Sequence, residues 1–207
     1  GENYRDLFPR DFIFSLDPPT NYIGPIQVFS SVESDNYVRS VDDNEDILPL
    51  VHKKDFEPAC LTNSLKKAIR CFIVAKAIRI LRGHQNQNHT MMINVSRFVR
   101  VQEYVKGLVL EYVKQLRQAI NNHCSLPVDI AVKDTMIRGL HATWEEDYRN
   151  ILDWADIQPL LKESIDPAEV LSINTSSSDV LSYDATDYPH GRTILVVGGL
   201  ALSRGLT

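Results

Sequence analysis

The sequence predicts an α/β protein, a parallel sheet flanked by helices and preceded by an irregular, proline-rich stretch. Three observations carry this. Three short apolar runs, "TMMINVS" (90–96), "AEVLSI" (168–173) and "RTILVVGG" (192–199), have the length and composition of buried strands. Helical segments intervene, which favours parallel pairing over an all-α or all-β arrangement. Each run also ends in a polar or glycine-bearing loop: "SRFVR", "NTSSSD" and "GGLALSRG". Loops beyond the carboxyl ends of parallel strands form the crevice in which such sheets bind ligands.

Residues 1–60 read as irregular. Prolines at 9, 18, 19, 25, 49 and 58 fix extended backbone and interrupt helices. "DLFPRDFIFSLDPPTNYIG" mixes them with aromatics and reads as an ordered strap, whereas the acidic stretch Glu33–Asp46 reads as a solvated, mobile loop. Residues 61–207 form the α/β domain. Its first helix opens at the N-cap Thr62 and closes at Gly83, and its apolar residues cover most of the circumference, so it should be largely buried. "GHQNQNH" follows. His84 and His89 flank it without a third ligand, which makes a solvated turn the better reading than a metal site.

After the first strand, Val101, Val105, Leu108, Val109, Tyr112, Val113 and Leu116 recur at three- and four-residue steps and give a helix one broad apolar face. The segment 128–165 is mostly helical, with a break around Leu126–Lys133, and Trp144 and Trp154 are packing residues.

Composition bounds the function. The 207 residues are 43% hydrophobic and 24% charged, an ordinary globular balance, and the net charge of -5 gives no global basic signal for nucleic acid, although a local groove can still be basic. Cys60, Cys71 and Cys124 are odd in number and form no CxxC, as expected of thiols in a reducing, cytoplasmic protein. No apolar run has the length of a membrane span, and no signal peptide opens the chain. The start on Gly1 and the end just beyond a glycine loop are expected of a piece cut from a larger protein.

The candidate chemistry lies in the loops. Gly198 and Gly199 permit a tight turn and close approach of a phosphate; Ser203 offers a hydroxyl, Arg204 a forked cation and Gly205 another permissive turn. A plain glycine turn with a surface arginine reads equally well. Ser96, Arg97 and Arg100 stand at a strand-to-helix turn, where the free N–H groups of the helix favour an anion. Gln102, in the first turn, caps the helix or reaches a ligand. No P-loop, no metal-holding carboxylate pair and no serine or cysteine with an evident histidine partner are legible, so no catalytic residue and no metal ligand is assigned.

"GGLALSRGLT" resembles motif V of superfamily 2 helicases. "LFPRDFIFSLDPPTNYIG", "MMINVSRFVRVQEYV" and "ILVVGGLALSRGLT", in that order along the chain, together resemble the Z-one domain, a family labelled endonuclease and linked to bacterial restriction-modification and phage-defence systems. The resemblance implies a RecA-like second lobe of a helicase-type ATPase that uses ATP and Mg in the full-length protein and acts on double- or single-stranded DNA. Its partners would be an N-terminal RecA-like lobe and a C-terminal remainder of the same protein. It implies that Ser96 and Arg97 fall on a motif IV-like phosphate contact, and that Gly198, Gly199, Ser203, Arg204 and Gly205 form a nucleotide-sensing loop. The acidic stretch and the helices between Lys53 and Gly83 are no part of a minimal lobe and read as an insertion of unknown role. The isolated piece would be inactive. The alternative is an endonuclease-associated DNA-binding module without motor activity, and a third is an interaction domain.

Overall fold

The computed structural model describes residues 19, 22–30, 37–45, 47–174, 181–199 and 202. The chain divides into two units, Gly1–Val41 and Asp42–Thr207. Most of the aromatic strap of the first unit lies outside the described residues. What is described there includes α1 (Pro25–Phe29), which opens on a proline whose fixed φ suits a first helical position. The Gln27 side chain reaches back to accept from the Gly24 N–H at 2.8 Å.

The second unit holds the core. α2 (Asn63–Leu81) starts at Thr62, whose Oγ1 accepts from the Leu65 N–H at 3.1 Å, and is followed by Gly83 in the left-handed region at φ 78°. Part of the acidic stretch is anchored here. The Asp43 carboxylate accepts from the Ser64 N–H at 2.8 Å and from its hydroxyl at 2.6 Å, and these bonds hold its pKa below the usual carboxylate value. Asp43 is therefore a second cap on α2 and no free loop residue.

β1 (His89–Asn94) leads into α3 (Val99–His123), then α4 (Val128–Ala131), α5 (Thr135–Asp147), α6 (Trp154–Ile157), a 3-10 turn (Gln158–Leu160) and α7 (Leu161–Ile165). The break expected around Leu126–Lys133 holds a short helix, because Pro127 cannot donate to a preceding turn yet serves as the N-cap of α4. Asp134 then caps α5 by accepting from the Met136 and Ile137 N–H groups.

β2 (Ala168–Ile173) and β3 (Thr193–Gly198) complete a three-stranded, all-parallel sheet in the order β1-β3-β2. Met91 and Val170 flank Leu195 across it. All six residues of β3 are buried, as a central parallel strand requires. Ile93, Leu195 and Val197 face the helices and share one core with Ile69, Ile73, Val109, Leu116, Ile120 and Leu140. Ile194 and Val196, on the opposite face, pack with Leu171, Ile173, Leu181, Tyr183 and Leu202. The chain is thus an α/β protein with a small parallel sheet flanked by helices. α2 sits in the centre of its core, and no helix among the described residues is long and apolar enough to cross a membrane.

His89 belongs to β1 and to no solvated turn. Its ring stacks on Phe72 at 4.2 Å, Nε2–H donates to the Phe72 carbonyl at 2.9 Å, and Nδ1 accepts from Arg79 at 3.0 Å. Burial, with smaller contributions from the charges of Arg79 and Lys76, pushes its pKa down to about 4. An unfolded histidine takes up its proton near pH 6.5, whereas the native ring waits until about 4. This contribution to stability is complete above pH 6.5 and is lost as the pH falls from there to about 4. Between about pH 7.5 and pH 5 the loss should be about 1 kcal/mol, after discounting for partial solvent exposure. Urea denaturation at the two pH values measures it, and His89→Gln should shrink the difference by that amount.

Candidate functional site

The carboxyl ends of the three strands converge on the amino end of α3. β1 runs out through Val95, whose N–H donates to the Gly198 carbonyl at 3.2 Å, so the β1 and β3 loops begin joined. Ser96 comes next and is buried. Its Oγ accepts from the Phe98 N–H at 3.1 Å, a short local bond that sets the turn into the helix. Phe98 is the N-cap of α3 and supplies no side-chain cap, so the first N–H groups of the helix keep their positive end available to an anion.

Gln102 spans the turn from inside. Its Nε2 donates to the Ser96 carbonyl at 2.7 Å, and its Oε1 is buried with no hydrogen-bond partner among the described residues. The amide orientation is fixed because a carbonyl can only accept.

The two glycines are needed for close approach, not for a left-handed backbone, since neither has a positive φ. A Cβ on Gly199 would stand 2.2 Å from the Ser96 carbonyl oxygen and 2.5 Å from Gln102 Nε2. One on Gly198 would stand 2.7 Å from the Ile173 carbonyl oxygen and 2.8 Å from Leu202. The sequence pointed to room for a ligand phosphate; in the structure the glycines make room for the neighbouring loops of the protein itself. Ser203, Arg204 and Gly205 lie outside the described residues.

Arg97 is exposed beside the turn, its guanidinium 4.8 Å from the Phe98 ring centroid. Arg100 is also exposed but engaged, 3.1 Å from Glu57 and within reach of the Tyr104 hydroxyl, which itself donates to Glu57. At the end of β2, Asn174 Nδ2 donates to Glu103 of α3 at 3.0 Å and to Ser172 Oγ at 2.7 Å, so the third loop is tied to the same helix turn. The other residues of "NTSSSD" lie outside the described residues.

One participant escaped the sequence. Ser96 does have a histidine partner: His52 Nε2 lies 2.7 Å from Ser96 Oγ, while His52 Nδ1–H donates to the Pro49 carbonyl at 2.7 Å. The two side chains are 44 positions apart, with α2 and β1 between them and His52 itself in an irregular segment, so no spacing rule could join them. A cleft of about 420 Å³ opens here, lined by Leu50, Val51, His52, Ser96, Arg97 and Phe98 among others. Among the described residues, no group of three or more His, Cys, Asp or Glu side chains could hold a metal ion.

A family model described as Z1 domain matches residues 64–207, more than half of the chain. No curated protein and no solved structure matches it.

Proposed function

The chain belongs to the Z1 domain family, and on that premise we propose that it acts as the RecA-like second lobe of a DNA-dependent, helicase-type ATPase of a bacterial restriction or phage-defence system. The observation that carries the reading is the meeting of three strand ends at the open amino end of α3 beside the exposed Arg97. Helix N–H groups and a forked cation suit the oxygens of a nucleic-acid backbone phosphate. The β1 and β3 loops touch through Gly199, so a displacement of one must be felt by the other. Such a contact would let the β3 loop, continuing into Ser203, Arg204 and Gly205, report nucleotide state to the DNA contact at Ser96 and Arg97.

The described donors fit a phosphate group. They include no carboxylate cluster for Mg, and the sequence contains no P-loop. ATP and Mg would therefore be held chiefly by a partner lobe outside these residues, and hydrolysis would supply the free energy for lobe opening and closure. This chain's part is to hold the strand while that happens.

The test measures DNA affinity and DNA-stimulated ATP turnover of the protein that carries this domain, with Arg97→Ala and Arg204→Ala variants. Arg97→Ala should weaken DNA binding about tenfold and reduce the salt slope by about one. Arg204→Ala should abolish the stimulation. Affinity and salt slope unchanged by Arg97→Ala would sink the DNA assignment, whereas DNA binding without any turnover would leave the DNA-binding module without motor activity.

A further inference from the structure

We propose that Ser96 and His52 form a nucleophile–base pair, and that the cleft they line takes a carboxylic ester or comparably activated acyl group with an apolar acyl chain. Three observations lead here, and none depends on the ATPase reading. The first is the geometry of the pair. The Pro49 carbonyl can only accept, so His52 carries its proton on Nδ1 in the neutral ring, and Nε2 is left to accept the Ser96 hydroxyl proton at 2.7 Å. A base within hydrogen-bond reach of a nucleophile, itself oriented by a third group, is the arrangement that activates a serine. Here a backbone carbonyl fills the orienting place that a carboxylate fills in the familiar triad.

The second observation is the surroundings of Ser96. It stands in a strand-to-helix turn at the carboxyl edge of the parallel sheet, two residues before the N-cap of a long helix that has no side-chain cap. The N–H groups of that first turn would favour an oxyanion beside the serine. The buried Gln102 amide grips the Ser96 carbonyl and keeps the turn rigid.

The third is the chemistry of the cleft wall. Leu50 and Val51 are 82% and 93% exposed and adjacent in sequence to the base, and with Phe98 and Val95 they supply the apolar part of a cleft whose lining is as much polar as apolar. Leu50 and Val51, beside the pair, would offer an apolar acyl chain a surface to cover. Arg97, on the same wall, would favour an ester that also carries a negative charge.

The chemistry balances without another reagent. Ser96 Oγ adds to the acyl carbonyl carbon as its proton passes to His52 Nε2. The bond from that carbon to the leaving alkoxide oxygen then breaks, and His52 returns the proton to that oxygen. Water repeats the sequence on the acyl-serine, giving the carboxylic acid and free Ser96. His52 and Pro49 precede the first residue of the family match, so the pair joins a matched turn to an unmatched segment.

The experiment treats the folded protein with an alkyl fluorophosphonate, maps the modified residue by peptide mass spectrometry, and follows hydrolysis of p-nitrophenyl butyrate. Modification at Ser96 is expected, with labelling and hydrolysis lost in Ser96→Ala and slowed about 100-fold in His52→Gln. Thermal melts establish that the variants are folded. Absence of label, label on another residue, or equal labelling of a folded His52→Gln variant would overturn the proposal. Should His52→Gln fail to fold, the position of the label on the unaltered protein decides alone. None of these readouts involves DNA or ATP, so they stand apart from the outcome of the ATPase test.

Discussion

Gly199→Ala should destabilise the second unit by about 3 kcal/mol and, in what remains folded, weaken phosphate or DNA binding at least tenfold. The added methyl has nowhere to go. At 2.2 Å from the Ser96 carbonyl oxygen and 2.5 Å from Gln102 Nε2, it meets backbone on one side and a buried, hydrogen-bonded amide on the other. A flexible side-chain tip could swing aside; a carbonyl fixed between β1 and α3 cannot. Overpacking in such a place costs about 1–3 kcal/mol, and breaking the Gln102–Ser96 bond adds about 1 kcal/mol. The β1 loop must retreat from the β3 loop, which displaces Ser96, its bond to His52 and the neighbouring Arg97 together. Chemical denaturation measures the first effect, and titration with a short DNA at low salt measures the second. A stability loss below about 1 kcal/mol with unchanged binding would show that the loops do not meet as described.

The contrast between what was legible and what was not follows from range. Helices announce themselves locally: Thr62 and Gly83 bracket α2, and the three- and four-residue steps from Val101 to Leu116 fix the buried face of α3. The three strands are apolar runs with turn residues after them, and all three form. Their order and burial do not follow: β1 buries only Ile93 and β2 only Ala168 and Ser172, because both are edge strands, whereas β3 enters between them and is buried throughout. Candidate site residues divide in the same way. The turn "SRFVR" was visible as a strand end meeting a helix start, and Ser96 and Arg97 do stand there. His52 was not, since its bond to Ser96 crosses from an irregular segment. Asp43 was hidden likewise: in a run of acids it reads as solvated, and only the folded chain brings it to Ser64. The glycines were legible as glycines, but their reason was not, because only the assembled loops reveal which backbone approaches which.

Gln158→Leu supplies the complementary case, an equally large loss of stability with no change at the candidate site. Gln158 is 5% exposed and joins the helices through three bonds. Its Oε1 accepts from Trp154 Nε1 at 2.7 Å, while Nε2 donates to the carbonyls of Cys124 at 2.9 Å and Leu126 at 2.7 Å, where α3 ends. Leucine has similar bulk and can make none of them. It would leave a buried indole N–H and two half-buried carbonyls without these partners, each costing about 1 kcal/mol, so the sum is about 3 kcal/mol. For a chain of this size that lowers the melting temperature by roughly 6–12 °C. The damage stays at the far end of α3: Gln102 and Cys124 are 22 positions apart, or about 33 Å along a helix. DNA affinity per folded molecule and labelling of Ser96 should both equal those of the unaltered protein. Set beside Gly199→Ala, this variant separates a general loss of stability from a local fault in the loops. If Gln158→Leu impaired binding as much as Gly199→Ala at matched stability, the binding loss in the glycine variant would reflect unfolding, and the contact between the β1 and β3 loops would have no functional part.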